Sequence, residues 1–209
     1  MKKFVTLLST VFLVLALAAC GGGSESSSSN EKSSGEKQEK TEVQDKSKEE
    51  QSESGDEVKE SELGKLTVIK KKKDINQTVK SGPMNLTISA IQAAVLEPNE
   101  SYKDLFEGKD KVTIVTVEMK AENTSDDTIG FYPNQAVMTT DAGDQVDADM
   151  VLSDDIGGDF IGKVKKEGNV IFQLDRDPNE FNKIKLVIEG SHDENFNQVG
   201  EKLTIDLSF

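Results

Sequence analysis

The chain has 209 residues, 25 basic against 39 acidic side chains, one histidine, one cysteine and a net charge of −14. That acidity argues against a nucleic-acid surface, since phosphates would be repelled. A single cysteine leaves no disulfide within the chain, and a single histidine with no cysteine cluster leaves no set of zinc ligands.

Lys2 and Lys3 precede a run from Phe4 to Ala19 that is apolar except for Thr6, Ser9 and Thr10. A charged start, a short apolar stretch and small residues before a break form an export signal, here residues 1–19. The run is shorter than the roughly 18–20 apolar residues that a spanning helix needs. Leu17-Ala18-Ala19-Cys20, followed by three glycines, resembles the lipobox of bacterial lipoproteins. The resemblance implies cleavage before Cys20, a diacylglyceryl thioether on its sulfur, and a protein held at the extracytoplasmic face of the cell membrane. Each buried methylene contributes about 0.8 kcal/mol, so two acyl chains anchor firmly where one is marginal.

Residues 20–62 are expected to be a tether. After Cys20 the segment contains thirteen acids and six lysines, and Val43 and Val58 are its only aliphatic side chains. Such a stretch buries too little apolar surface to offset the entropy of ordering. As a flexible coil it would span about 35 Å. Charged residues around 36–48 favour helix, but without an apolar face such a helix would have nothing to pack against.

From Leu63 the composition changes, and residues 63–209 are expected to form one domain. Period-two alternation recurs along it. In chain order the inward sets are Leu86, Ile88 and Ala90, then Val115, Val117, Met119 and Ala121. Val170, Phe172 and Leu174 follow, then Ile184, Leu186 and Ile188, and finally Leu203, Ile205, Leu207 and Phe209. Short alternating runs rich in β-branched residues are half-buried strands. Ser81-Gly82-Pro83 separates a short strand near 77–80 from the one starting at Met84, and Asp141-Ala142-Gly143-Asp144 turns a hairpin between 136–140 and 145–150. Lys166-Glu167-Gly168-Asn169 precedes the Val170 strand, and Asp177-Pro178-Asn179 breaks the chain after it. These are turn formers for backbone reasons. Residues 101–106 suggest one helical turn, capped by Ser101 and presenting Leu105 and Phe106 to the core. With no helical crossovers, a parallel sheet is not expected. The expected fold is all-β: an immunoglobulin-like antiparallel β-sandwich of seven to nine strands, the alternative being a small closed barrel.

Three stretches resemble a known family: 78–88 its opening hairpin, 112–125 its central strand and polar turn, and 136–146 its next hairpin. The family is the telokin-like, immunoglobulin-fold domain carried by many Gram-positive lipoproteins. The resemblance spans about Ile75 to Phe209. It implies a sandwich outside the membrane and brings no catalytic residues with it.

Candidate chemistry is sparse. His192, in Gly190-Ser191-His192-Asp193-Glu194, is read as a loop residue, and no nucleophile elbow or phosphate loop accompanies it. No enzyme is expected, although a wall-polymer hydrolase built on a carboxylate pair is a rival in a chain this acidic. Residues 121–162 hold ten acids and no base. Asp141, Asp144, Asp154, Asp155 and Asp159 are candidate calcium ligands, with Gly157 and Gly158 allowing a tight wrap. The alternative makes Asp141 and Asp144 turn formers and places Asp147 and Asp149 on the solvent face of a strand. Lys70 to Lys73 form a basic run that would either meet anionic lipid heads or wall phosphates, or pair with the acidic tether. Phe131-Tyr132-Pro133 is core or edge packing, or else an exposed contact patch. The function expected is a non-catalytic binding module, with an envelope protein or cell-wall partner, and a calcium-binding envelope protein is the alternative.

Overall fold

The computed structural model describes residues 57–209. The export signal, Cys20 and the tether up to residue 56 lie outside the described residues. Within them the chain forms twelve strands, more than the seven to nine expected.

The first sheet contains β1 (Glu57–Ser61), β2 (Gly64–Lys72), β4 (Met84–Pro98), β5 (Val112–Asn123) and β10 (Lys165–Leu174) in that spatial order, with β3 (Gln77–Ser81) pairing onto β4. The second contains β12 (Leu203–Ser208), β11 (Lys183–Ile188), β7 (Val137–Thr140) and β8 (Gln145–Asp147). A two-stranded ribbon joins β6 (Thr128–Phe131) and β9 (Gly158–Ile161). Every pairing of these strands is antiparallel.

The two sheets share one core. Val115, Val117, Phe172 and Ile88 from the first meet Met138, Leu186, Ile205 and Leu207 from the second, and Ile129 and Phe160 of the ribbon join them. The inward sets read from alternation in β5, β10, β11 and β12 all lie in this cluster, with Phe209 packed beside it. Alternation works there because one face of each strand is dry and the other wet.

It fails at Ala90. A bulge between Ile88 and Ala90 inserts a residue against β5. An extra residue flips the side-chain parity, so the core positions pass from Leu86 and Ile88 to Ile91 and Ala93, and Ala90 is turned to the outer face. Past this point β4 contributes Leu96 to a second, small cluster with Phe106, Val112 and Ile114.

The helical turn exists as a 3-10 segment, Glu100–Phe106. Its first flanking residue is Asn99, not Ser101, and Asn99 spends its amide on the Glu62 carbonyl at 2.9 Å. Phe106 is fully buried, but Leu105 is 43% exposed and faces solvent.

Order begins earlier than Leu63. β1 pairs with β2 over five residues inside the stretch expected to be tether. All five side chains are exposed, so the strand rests on its backbone ladder and leaves no apolar pattern to detect. The lysine run lies in and just after β2. Lys70 donates to the Asn182 side chain at 2.9 Å and sits 5.7 Å above the Phe181 ring, and Lys72 donates to the Ser208 carbonyl at 3.0 Å. These two lysines tie the first sheet to the chain flanking β11 and β12. Among the described residues of the stretch expected to be tether, Glu57 meets Lys71 of the run, at 3.8 Å.

Candidate functional site

The aspartates singled out in the sequence are dispersed. Asp141 accepts from the backbone amides of Asn182 and Lys183 at 3.0 and 3.2 Å, which fastens the β7–β8 turn to the start of β11 and holds its carboxyl below the usual range. Asp144 accepts from Arg176 Nε and Thr140 Oγ1, both at 2.6 Å. Asp154 accepts from the Asn169 amide at 2.7 Å, and with Ser153 Oγ, which receives the Ile171 amide at 2.8 Å, it satisfies the free edge of β10. Asp155 and Asp159 are exposed. Asp149, read as a solvent-facing strand residue, instead accepts the Val151 and Leu152 amides at 2.8 and 3.0 Å. Among the described residues no three acidic, histidine or cysteine side chains gather into a group that could hold a metal ion. Calcium at millimolar concentration is therefore expected to leave the melting temperature unchanged in a thermal scan. A rise would reveal a cation site formed on binding.

Asp144 does structural work. Arg176, then Thr140, hold its carboxyl below the ordinary carboxylate range. A lowered folded value means stability that is fully present above the unfolded value of about 3.9 and is lost as pH falls through the lower folded value. Asp144→Asn should cost about 1 kcal/mol near neutrality. Urea melts should find that difference shrinking as pH falls below the unfolded value of about 3.9.

A cavity of about 360 Å³ is lined by Glu107, Lys109, Asp147, Asp149 and Asp175 among others. Its acids are largely engaged: Lys109 bridges Glu107 and Asp175 at 2.6 and 2.7 Å, and Asp149 is held by Gln173 as well as the two amides. Asp147 is the one that remains open. A facing pair of free carboxylates, which glycoside hydrolysis uses, does not arise there.

The feature built with most effort lies on the outer face of the β6–β9 ribbon. Residues 190–200 come alongside β6, where His192 and Gly130 exchange backbone hydrogen bonds at 2.9 and 3.0 Å. Asp159, Gly130 and His192 thus form one row across three adjacent segments. The Ile129 and Phe160 pair points inward, so this row points out. The imidazole lies over Gly130 so closely that a Cβ there would strike the ring. Only glycine leaves it that space.

The base of the loop is stapled by a buried hydroxyl pair. The Ser191 amide donates to Ser81 Oγ at 2.9 Å, Ser191 Oγ donates to the Ser81 carbonyl at 2.8 Å, and Ser81 Oγ donates to the Glu201 carbonyl at 2.8 Å. Asp193 organises the tip. Its Oδ1 accepts the Asn195 and Asn197 amides at 2.8 Å each, and its Oδ2 accepts the Asn197 side chain at 2.9 Å. The Asn197 side chain foremost keeps its carboxyl below the ordinary range.

At the tip, Phe196 adopts φ of 61°, the left-handed region, and its side chain is 80% exposed. That backbone costs a non-glycine residue about 1–2 kcal/mol. The ring centroid lies 5.0 Å from His192, and His192 stacks on half-buried Tyr132 at 5.9 Å and 25°. The result is a ladder of three rings, Tyr132–His192–Phe196, with the outermost ring in solvent. Of Phe131-Tyr132-Pro133, Phe131 and Pro133 are core, and Tyr132 alone serves the surface. Phe196 was missed by sequence reasoning. Its signal was a lone aromatic in the polar run Asp193-Glu194-Asn195-Phe196-Asn197-Gln198.

No family model matches the chain. It is 31% identical over 134 residues to the SPbeta prophage-derived uncharacterized lipoprotein YonS of Bacillus subtilis, a match that covers 63% of this chain. The match spans 60% of that relative's length. Among solved structures, a functionally unknown protein from Listeria monocytogenes aligns with a TM-score of 0.54 at 12% identity, over 70% of this chain and 88% of its own. That likeness is one of fold. The yjhA protein of Bacillus subtilis aligns more loosely, with a TM-score of 0.46 at 15% identity, over 66% of this chain and 99% of its own.

Proposed function

We propose that the chain is a lipoprotein carried on the extracytoplasmic face of a membrane by acyl chains on Cys20, and that its β-sandwich is a non-catalytic binding module whose contact surface is the Tyr132–His192–Phe196 ladder. The leader and lipobox-like stretch support the anchor, as does the similarity to a lipoprotein. Among the described residues no helix is long and apolar enough to cross a membrane. Residues 20–56 would be the tether. The domain is assigned to the telokin-like, immunoglobulin-type sandwiches on the three stretches that resemble them, and its two facing sheets support that assignment.

The observation that carries the binding role is Phe196. An aromatic side chain held in solvent by a left-handed backbone and by three hydrogen bonds to Asp193 contributes little to folding. Residues kept in such conformations cluster where a protein makes contact or does chemistry, and loops on a rigid β-scaffold are common recognition surfaces. A photo-cross-linking amino acid at position 196, in cells expressing the full chain, should capture a defined envelope component. The same group at Val151, which is 78% exposed on another loop, should not. Equal, diffuse capture from both positions would remove the ladder as the contact surface.

A further inference from the structure

We infer that the ladder takes a cationic, arginine- or lysine-bearing segment of a partner protein, an inference that rests on the binding role proposed above and names its ligand class. Two features of the surface select this class. The first is the exposed aromatic ring itself, since ammonium and guanidinium groups bind over aromatic faces. The second is charge. Glu194 and Asp159 are exposed on the same loop and the same outward row as the ladder. The cations that follow β9 are already committed: Lys163 to Asp126 at 3.0 Å, Lys165 to Glu122 at 3.1 Å, and Lys166 to the Gly157 carbonyl while lying 5.0 Å above the buried Phe160 ring.

The Asn197 side-chain amide donates to Asp193 and that of Gln198 to the Gly200 carbonyl at 3.0 Å, and the exposed Asn195 amide lies beside Phe196. The charged side chains exposed on that loop and row, Glu194 and Asp159, are carboxylates, which accept hydrogen bonds and do not donate. A guanidinium or ammonium is positively charged and only donates, whereas a sugar hydroxyl carries no charge to meet these carboxylates. An aromatic platform edged by acceptors fits the donor-only ligand.

The single histidine makes the test direct, because its ring resonances report on the centre of the ladder. The full chain in uncharged detergent would be titrated at physiological salt with a Gly-Arg-Gly-Arg-Gly peptide, a Gly-Ser-Gly-Ser-Gly peptide and chitotetraose. The arginine peptide should shift the His192 resonances saturably, and the serine peptide should not. Phe196→Ala should weaken binding at least fivefold although it leaves the net charge untouched, and Glu194→Gln with Asp159→Asn should weaken it further. No saturable shift with the arginine peptide, or an equal affinity in Phe196→Ala, overturns the inference, because attraction to an acidic protein in general survives that substitution. A saturable shift with chitotetraose and none with arginine overturns the cationic class and leaves the binding role standing. Blank cross-linking from position 196 alongside tight arginine binding removes the proposed role and leaves the surface chemistry intact.

Discussion

Replacing Cys20 with serine is expected to move the protein from the membrane pellet to the soluble fraction. The substitution exchanges one atom and removes the only thiol in the chain. A hydroxyl cannot form the thioether, and without that bond no acyl chain is attached. On the proposed anchor the attachment free energy would then be lost almost whole, since each methylene contributes about 0.8 kcal/mol and two chains carry several tens of them. Among the described residues no helix is long and apolar enough to cross a membrane, and the chain as a whole is acidic. Fractionation of cells expressing either form reads the result. A serine variant that still sediments with membranes would contradict the lipid anchor.

The second large effect concerns the core. Phe172 is fully buried on β10, registered opposite Val115 of β5, and sits in the cluster that both sheets share. Phe172→Ala removes a ring that close packing cannot replace and leaves a cavity, at a cost of about 3–5 kcal/mol. For a domain of this size that corresponds to a fall in Tm of roughly 10 °C. Calorimetry or urea denaturation would measure it. A cost under about 1 kcal/mol would mean that the two sheets do not close on each other around this residue.

Much of this architecture could be read from the chain. Wherever a strand has one dry face and one wet face, as at Val115 to Ala121 or Leu203 to Leu207, alternation marks the strand and its inward side together. Three physical circumstances hid the rest. A bulge at Ile88/Ala90 reversed the parity of β4, and a one-residue insertion leaves no trace in composition. β1 has both faces in solvent, so its only signal is a ladder to β2 that no periodicity reports. The ladder itself is assembled from Tyr132 just after β6, from residue 192 and from residue 196, with Gly130 as its floor. Proximity across some sixty residues of sequence is a property of topology and is invisible to local pattern. The aspartates illustrate the converse: they are dense in sequence, yet Asp141, Asp144 and Asp154 turn to separate backbone and side-chain partners.

The claim on which the functional account depends is that the fold does not need Phe196. The most direct measurement compares the unfolding free energies of the wild-type chain and Phe196→Gly. Glycine relieves the left-handed backbone, worth about 1–2 kcal/mol, and gives back roughly 0.5–1 kcal/mol through the freer unfolded chain. The two stabilities are expected to lie within about 1 kcal/mol of each other. A loss of about 3 kcal/mol or more, the cost of deleting a core aromatic, would show that the ring is there to hold the domain together and would contradict its assignment as a contact surface.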